Sequence, residues 1–213
     1  MNVSSLTMRL FGTNVYILWN AETHHAIVVD PGMMDEQERH LVTDFLSQRQ
    51  LVVQHVLLTH AHIDHAFSAH WLAQRCGVPV EGSSGEAMLA SALPQQAEFF
   101  HLDLDVAPLK VGHELHDGDI IMLDDEEIHV IAVPGHSPGG LAFYVPQCGF
   151  ALTGDSLFRG SIGRTDFWGG DLPTLLRSIR TRLLTLPPDT MLYPGHEAST
   201  TVEQEKLHNL YLR

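Results

Sequence analysis

The stretch VQHVLLTHAHIDHA, residues 53–66, changes character halfway along. Its first six residues form an apolar run with the look of a buried strand. The rest packs His60, His62, Asp64 and His65 into six consecutive positions. Such a cluster is either a histidine-rich surface turn or one half of a metal site whose other half lies elsewhere. In an extended segment alternate residues point the same way, so His60 and His62 can face one ion together. Asp64 and His65 fall at the turn into a helix and can aim at a neighbouring point. Asp64 is also placed to cap that helix.

The second half of such a site is visible downstream. The strand-like EIHVIAV (127–133) runs into PGHSPG with His136, FALTG runs into Asp155, and TMLYPGH ends at His196. Four strand ends thus each deliver His or Asp to a loop, where a rigid scaffold positions chemistry. Imidazole and carboxylate without thiolate suit Zn²⁺, Fe or Mn²⁺, with positions left for water. A lone His at a strand end is ordinarily a surface residue, but a dense His-x-His-x-Asp-His followed by two further Pro-Gly-His turns rarely arises by chance.

The remaining pattern supplies a scaffold. Strands are expected at NVYILWN (14–20) and HAIVVD (25–30), and a helix over 35–50 with Leu41, Val42, Phe45 and Leu46 on one face. A helix follows His65, with Ala69, Leu72, Ala73 and Cys76 at helical spacing and Gly77 as its stop. GVPVEG reads as a short strand, SGEAMLASAL as a helix closed by Pro94, and 95–113 as loop with room for a short helix. Strands at 117–123 and 127–133 form a pair, an amphipathic helix spans 171–186, and the tail from Thr201 is helical. The chain shows two β-then-α halves with no linker between them, and a single domain over 1–213 is expected.

Composition narrows the partners. With 12 Lys and Arg against 26 Asp and Glu, the net charge of −14 repels phosphate backbones and argues against nucleic acid. No stretch approaches the apolar length of a membrane span, and the N-terminus lacks the apolar core of a signal peptide. The two cysteines, Cys76 and Cys148, are too few for a disulfide framework and read as small buried hydrophobes in a reducing compartment. A cytoplasmic protein acting on a small molecule is the expectation, with its oligomeric state left open. Of 15 histidines, those at 24, 25, 40, 55, 101, 113, 116, 129 and 208 sit among polar neighbours and read as surface residues.

In order, THAHIDH, PGHSPG, LTGDSLF and YPGH resemble the signature of the metallo-β-lactamase superfamily over nearly the whole chain, starting at VVDPG with Asp30. The resemblance implies an α/β fold, the four-layer αβ/βα sandwich of two mixed sheets flanked by helices, with a dinuclear site at one sheet edge. It assigns His60, His62 and His136 to a first divalent ion and Asp64, His65 and His196 to a second, with Asp155 bridging. Zn²⁺ is the expected metal, with Fe or Mn as alternatives. Asp30 matches the position that steadies the site from behind the ligands.

Within the superfamily, GDSLFRGSIGRTDFWGGD (154–171) and the tail after His196 resemble glyoxalase II and its short relatives. That similarity implies hydrolysis of hydroxyacylglutathione thioesters such as S-D-lactoylglutathione by a water activated between two metals. Asp64 then accepts the water's proton as well as binding metal, and Arg164 binds a carboxylate of the thiol. Two departures bear on the substrate. Ala198 replaces a family tyrosine, and the chain ends at Arg213 without the helical domain that supplies further glutathione contacts. An iron-dependent persulfide dioxygenase shares the histidine signature and a loop like Gly163–Phe167, and remains an alternative, as do a lactonase or phosphodiesterase on the same fold. A metal-binding protein without catalysis is the reading of a different class, although all seven ligand positions are filled.

Overall fold

Continuous runs of β-branched and aliphatic residues set the middle of the first sheet. Asn14–Val15–Tyr16–Ile17–Leu18–Trp19 and His25–Ala26–Ile27–Val28–Val29 are buried along almost their whole lengths, as strands covered on both faces must be. These are β2 (Asn14–Trp19) and β3 (His25–Val29); β1 (Asn2–Thr7) precedes them, and β4 (Val52–Leu57), β5 (Val80–Gly82) and β6 (His113–Glu114) follow. The strand order is β1-β2-β3-β4-β5-β6. The first two pairings are antiparallel and the last three parallel, so the sheet is mixed.

Parallel neighbours need a crossover, and helices supply it. Helix α1 (Glu36–Gln48) joins β3 to β4, with the Asp35 side chain accepting from the Glu38 amide as N-cap. Val42 and Leu46 of α1 are buried, whereas Leu41, expected on the same face, is 46% exposed. Helices α2 (Ile63–Ala66) and α3 (Ala69–Cys76) follow β4, and Gly77 ends α3 at φ 73°. Next come α4 (Ala87–Ser91) and α5 (Leu93–Phe99). Pro94 does not close a helix, as its sequence context suggests, but sits in the first turn of α5, where its missing N–H costs nothing.

The structure is a computed model describing residues 1–213, and its chain divides into two units, Met1–Glu114 and Leu115–Arg213. The second unit has its own mixed sheet. Its strands are β7 (Ile120–Leu123), β8 (Glu126–Ala132), β9 (Leu141–Val145), β10 (Phe150–Gly154), β13 (Met191–Pro194) and β14 (Thr200–Thr201), ordered β14-β13-β10-β9-β8-β7. The small hairpin β11 (Leu157–Phe158) and β12 (Ser161–Ile162) stands apart from it. Helix α6 (Leu172–Ser178) runs on into a wider turn over Ile179–Leu183, and α7 (Val202–His208) lies in the tail. Leu175, Ile179 and Leu183 bury in one cluster with Ala142, Ala151 and Leu192 of the strands and Val133 just after β8. The two mixed sheets with flanking helices are those of the metallo-β-lactamase-type α/β fold inferred from the motifs. No helix is long and apolar enough to cross a membrane.

Three side chains depart from their expected surroundings. His55 and His113 are not simply surface residues: their Nδ1 atoms lie 2.6 and 2.8 Å from the two carboxylate oxygens of buried Glu81. Cys148 is exposed rather than buried, with its thiol 3.1 Å from Glu126.

Candidate metal centre

In the first unit the donors gather where β3 and β4 end. Asp30, the residue after β3, turns the chain at φ 53°, a left-handed conformation that Asp tolerates better than most residues. Its side chain is 2% exposed and fully engaged. Oδ1 accepts from the Thr59 amide at 2.7 Å, and Oδ2 accepts from the Thr59 hydroxyl at 2.6 Å and faces His65 Nδ1 at 3.0 Å.

These bonds settle two tautomers by their chemistry. A carboxylate only accepts, so His65 carries its proton on Nδ1 and presents the Nε2 lone pair. The Thr59 hydroxyl spends its hydrogen on Asp30, so its contact with His60 Nδ1 at 2.9 Å is one in which the imidazole donates. His60 therefore also offers Nε2 as a lone pair. An imidazole whose Nδ1–H is anchored in this way is the usual form of a histidine ligand.

The rings stand close together. His60 lies 4.7 Å from His62 and 4.1 Å from His65, centroid to centroid. Donor atoms of Asp30, His60 and His65 fall within 4.8 Å of one another. His62, not Asp64, occupies the N-cap position of α2. Asp64 sits in the first turn instead, its Oδ2 accepting from the buried Thr13 hydroxyl at 2.9 Å and lying 3.5 Å from His65 Nε2.

Distant side chains hold the loop's backbone. Buried Glu86 accepts from the Ala61 amide at 2.8 Å, and buried Gln96 of α5 accepts from the Ile63 amide at 2.8 Å while donating to Ala61 O at 3.1 Å. On the other side, the chain after β3 presses so closely on α2 that a Cβ on Gly32 would stand 1.5 Å from the Asp64 carbonyl oxygen. Only glycine fits there.

The second unit repeats the logic at three strand ends. His136 follows β8, Asp155 follows β10 and His196 follows β13. Nδ1 of His136 donates to the Arg164 carbonyl at 2.8 Å, which again places the lone pair of the ring on Nε2. Asp155 Oδ2 lies 3.7 Å from His136 Nε2 and 3.4 Å from His196 Nε2. A Cβ on Gly163 would meet the Asp155 carbonyl oxygen at 1.8 Å and His136 Nδ1 at 3.1 Å, so this loop too is built around a glycine.

The spacings fit a metal better than they fit direct hydrogen bonds. Bond lengths of about 2.1 Å at a tetrahedral angle put two ligand atoms of one ion roughly 3.4 Å apart. The His–Asp separations of 3.4, 3.5 and 3.7 Å lie around that value and beyond normal hydrogen-bond length. The donor set is nitrogen and carboxylate oxygen throughout, as for Zn²⁺, Fe or Mn²⁺.

Each residue singled out in the sequence falls into one of these two clusters except Arg164, which contributes its carbonyl. Its guanidinium instead pairs with Asp166, at 2.8 Å from Nε and 3.1 Å from Nη2. Thr13, Glu86 and Gln96 carry no sequence signal. Only Thr59, directly ahead of the histidines, was open to discovery from local context.

A fold of this kind with His/Asp clusters at its strand ends has the donor arrangement of a metal-dependent protein, and comparison with known proteins places it. A family model described as the metallo-beta-lactamase superfamily matches residues 8–196. Hydroxyacylglutathione hydrolase GloC of Haemophilus influenzae is 38% identical over 213 residues, covering 100% of this chain and 98% of that protein. The solved structure of the BLEG-1 B3 metallo-beta-lactamase matches with a TM-score of 0.89 and 30% identity over 99% of both chains. TTHA1623 in a di-iron-bound form matches with a TM-score of 0.86 and 34% identity, over 99% of this chain and 100% of that one. The chain belongs to the metallo-β-lactamase superfamily.

Proposed function

We propose that the chain hydrolyses thioesters, with hydroxyacylglutathione compounds such as S-D-lactoylglutathione as its substrates and two divalent ions, Zn²⁺ first among them, as cofactors. The observation that carries this reading is the full-length similarity to a hydroxyacylglutathione hydrolase at 38% identity. On the family pattern, His60, His62, His136, Asp64, His65, His196 and Asp155 would hold the ions. When bound, such ions polarise a carbonyl and make a water nucleophilic near neutral pH.

The chain's own residues then have defined tasks. Thr13 fixes one oxygen of Asp64, which leaves the carboxylate oriented to accept the water's proton. Asp30, through Thr59 and His65, keeps the imidazoles of His60 and His65 in the tautomer that offers Nε2. The Arg164 carbonyl does the same for His136. A thiol with a pKa of about 8.5 departs as thiolate, so no side chain is needed as a strong acid. The site takes a small molecule in the cytoplasm, in keeping with an acidic chain of net charge −14.

The test is a panel of S-D-lactoylglutathione, other thioesters, a lactone and a β-lactam, run on protein of measured metal content. Thioester turnover well above the others supports the reading; turnover confined to the β-lactam or the lactone ends it. A second reading, oxidation of a persulfide at a single iron, is favoured by the similarity to ETHE1 from Myxococcus xanthus, at 27% identity and a TM-score of 0.79. Oxygen uptake with glutathione persulfide separates the two.

A further inference from the structure

The loop Gly163–Gly170 follows the β11–β12 hairpin and holds His136 through the Arg164 carbonyl, yet its side chains take no part in that task. Arg164 and Asp166 form a parallel pair, Nε to Oδ1 at 2.8 Å and Nη2 to Oδ2 at 3.1 Å. This is the two-point geometry with which a guanidinium binds any carboxylate. The face of the same guanidinium lies over the Phe167 ring, 4.5 Å from its centroid, and Phe167 stands edge-on to Trp168 at 4.5 Å. Trp168 is 37% exposed, so cation and rings form an open platform at the surface.

The pair changes what that platform can recognise. One edge and one face of Arg164 are occupied by its own chain, and its charge is balanced by Asp166. The proximity also holds the Asp166 carboxyl below its ordinary range and raises the arginine's pKa. An incoming carboxylate meets a neutralised cation on a protein of net charge −14. An uncharged thiol chain, by contrast, meets an apolar ring pair with a donor edge beside it.

We infer that Asp166 is a specificity-determining residue: it competes with substrate carboxylates for Arg164 and shifts preference toward thioesters of uncharged thiols. The inference rests on the thioesterase reading and deepens it by naming the residue that sets how strongly the carboxylates of a charged thiol are held. Both members of the pair are largely solvent-exposed, at 55% and 73%, so the effect is a modest factor and not an absolute barrier.

The experiment compares S-D-lactoylglutathione with the lactoyl thioester of N-acetylcysteamine, which lacks a carboxylate. In Asp166→Asn, the ratio of kcat/KM for the glutathione ester to that for the cysteamine ester should rise about threefold or more, carried by KM. The gain should shrink as salt is raised and vanish in the Arg164→Gln, Asp166→Asn double variant. Calorimetry with S-methylglutathione, which is not hydrolysed, gives a readout independent of turnover: Asp166→Asn should bind it about threefold more tightly than the wild type. An unchanged or lowered ratio together with unchanged binding overturns the inference. If the wild type cleaves neither ester, the thioesterase reading fails, and the binding comparison still decides the role of Asp166.

Discussion

Asp30 shows how one side chain sets the state of several others. Its carboxylate takes three hydrogen bonds, from the Thr59 amide, the Thr59 hydroxyl and His65. Removing it in Asp30→Ala leaves these buried donors without an acceptor, and a loss of about 2–4 kcal/mol in urea unfolding is expected. Metal affinity, read by competition with a chelator, should fall roughly 10- to 100-fold, since the imidazoles lose their fixed tautomer. Equal metal affinity in variant and wild type would contradict the role assigned to this carboxylate. Asp30 was legible because it ends a strand in a recognisable motif. Thr13 was not, because its bond to Asp64 spans 51 positions of sequence. Away from the metal donors, Glu81 gives a pH prediction. Burial pushes its pKa up, but the hydrogen bonds from His55 and His113 outweigh this and hold it below the ordinary glutamate range. A depressed carboxyl pKa stabilises the fold above the unfolded value of about 4.3, and this contribution is lost as pH falls through the folded value. Glu81→Gln should therefore flatten the acid side of the stability profile below about pH 4.3. A profile parallel to that of the wild type would rule that contribution out.

Among the elements, those with strong periodicity were readable and those defined by partners were not. The strand ends that carry His60, Asp155 and His196 were all visible as apolar runs stopping at polar residues, and the β7–β8 pair stands close to the expected strands at 117–123 and 127–133. Helix α5 was foreseen only as room for a short helix within 95–113, and its start was misread. Pro94 reads as a terminator in sequence, yet it opens the helix, and buried Gln96 breaks the apolar stripe because its amide serves the histidine loop. Gln96→Ala is expected to cost about 2–3 kcal/mol by stranding the Ile63 amide and the Ala61 carbonyl. Faster hydrogen exchange at the Ile63 amide than in the wild type would register it, whereas unchanged protection would show that α5 does not hold this loop. At the other loop, Gly163→Ala forces a Cβ to within 1.8 Å of the Asp155 carbonyl. The backbone must shift, and since that loop also carries the carbonyl that orients His136, a loss of turnover larger than the loss of stability is expected. Proportionate losses in kinetics and unfolding would argue that the glycine is needed for folding alone.

For the molecule as a whole, the fold and its donor clusters were legible from a handful of motifs, because metal ligands must be His, Asp or similar and must stand at defined strand ends. Substrate choice was not, because it depends on side chains such as Asp166 whose roles appear only through the partners they occupy. The division into two units, Met1–Glu114 and Leu115–Arg213, falls between the two β-then-α halves seen in the sequence, and each unit carries its own share of the donors. Substitutions in either share should therefore have the same consequence. His62→Ala in the first unit and Asp155→Ala in the second are each expected to remove activity while leaving the circular dichroism spectrum in place. The decisive measurement is S-D-lactoylglutathione hydrolysis by protein whose metal content has been determined in the same sample. Two ions per chain, turnover that disappears on chelation and returns on adding Zn²⁺, Mn²⁺ or iron, is the predicted result. Protein holding two ions per chain that leaves every thioester intact would contradict it.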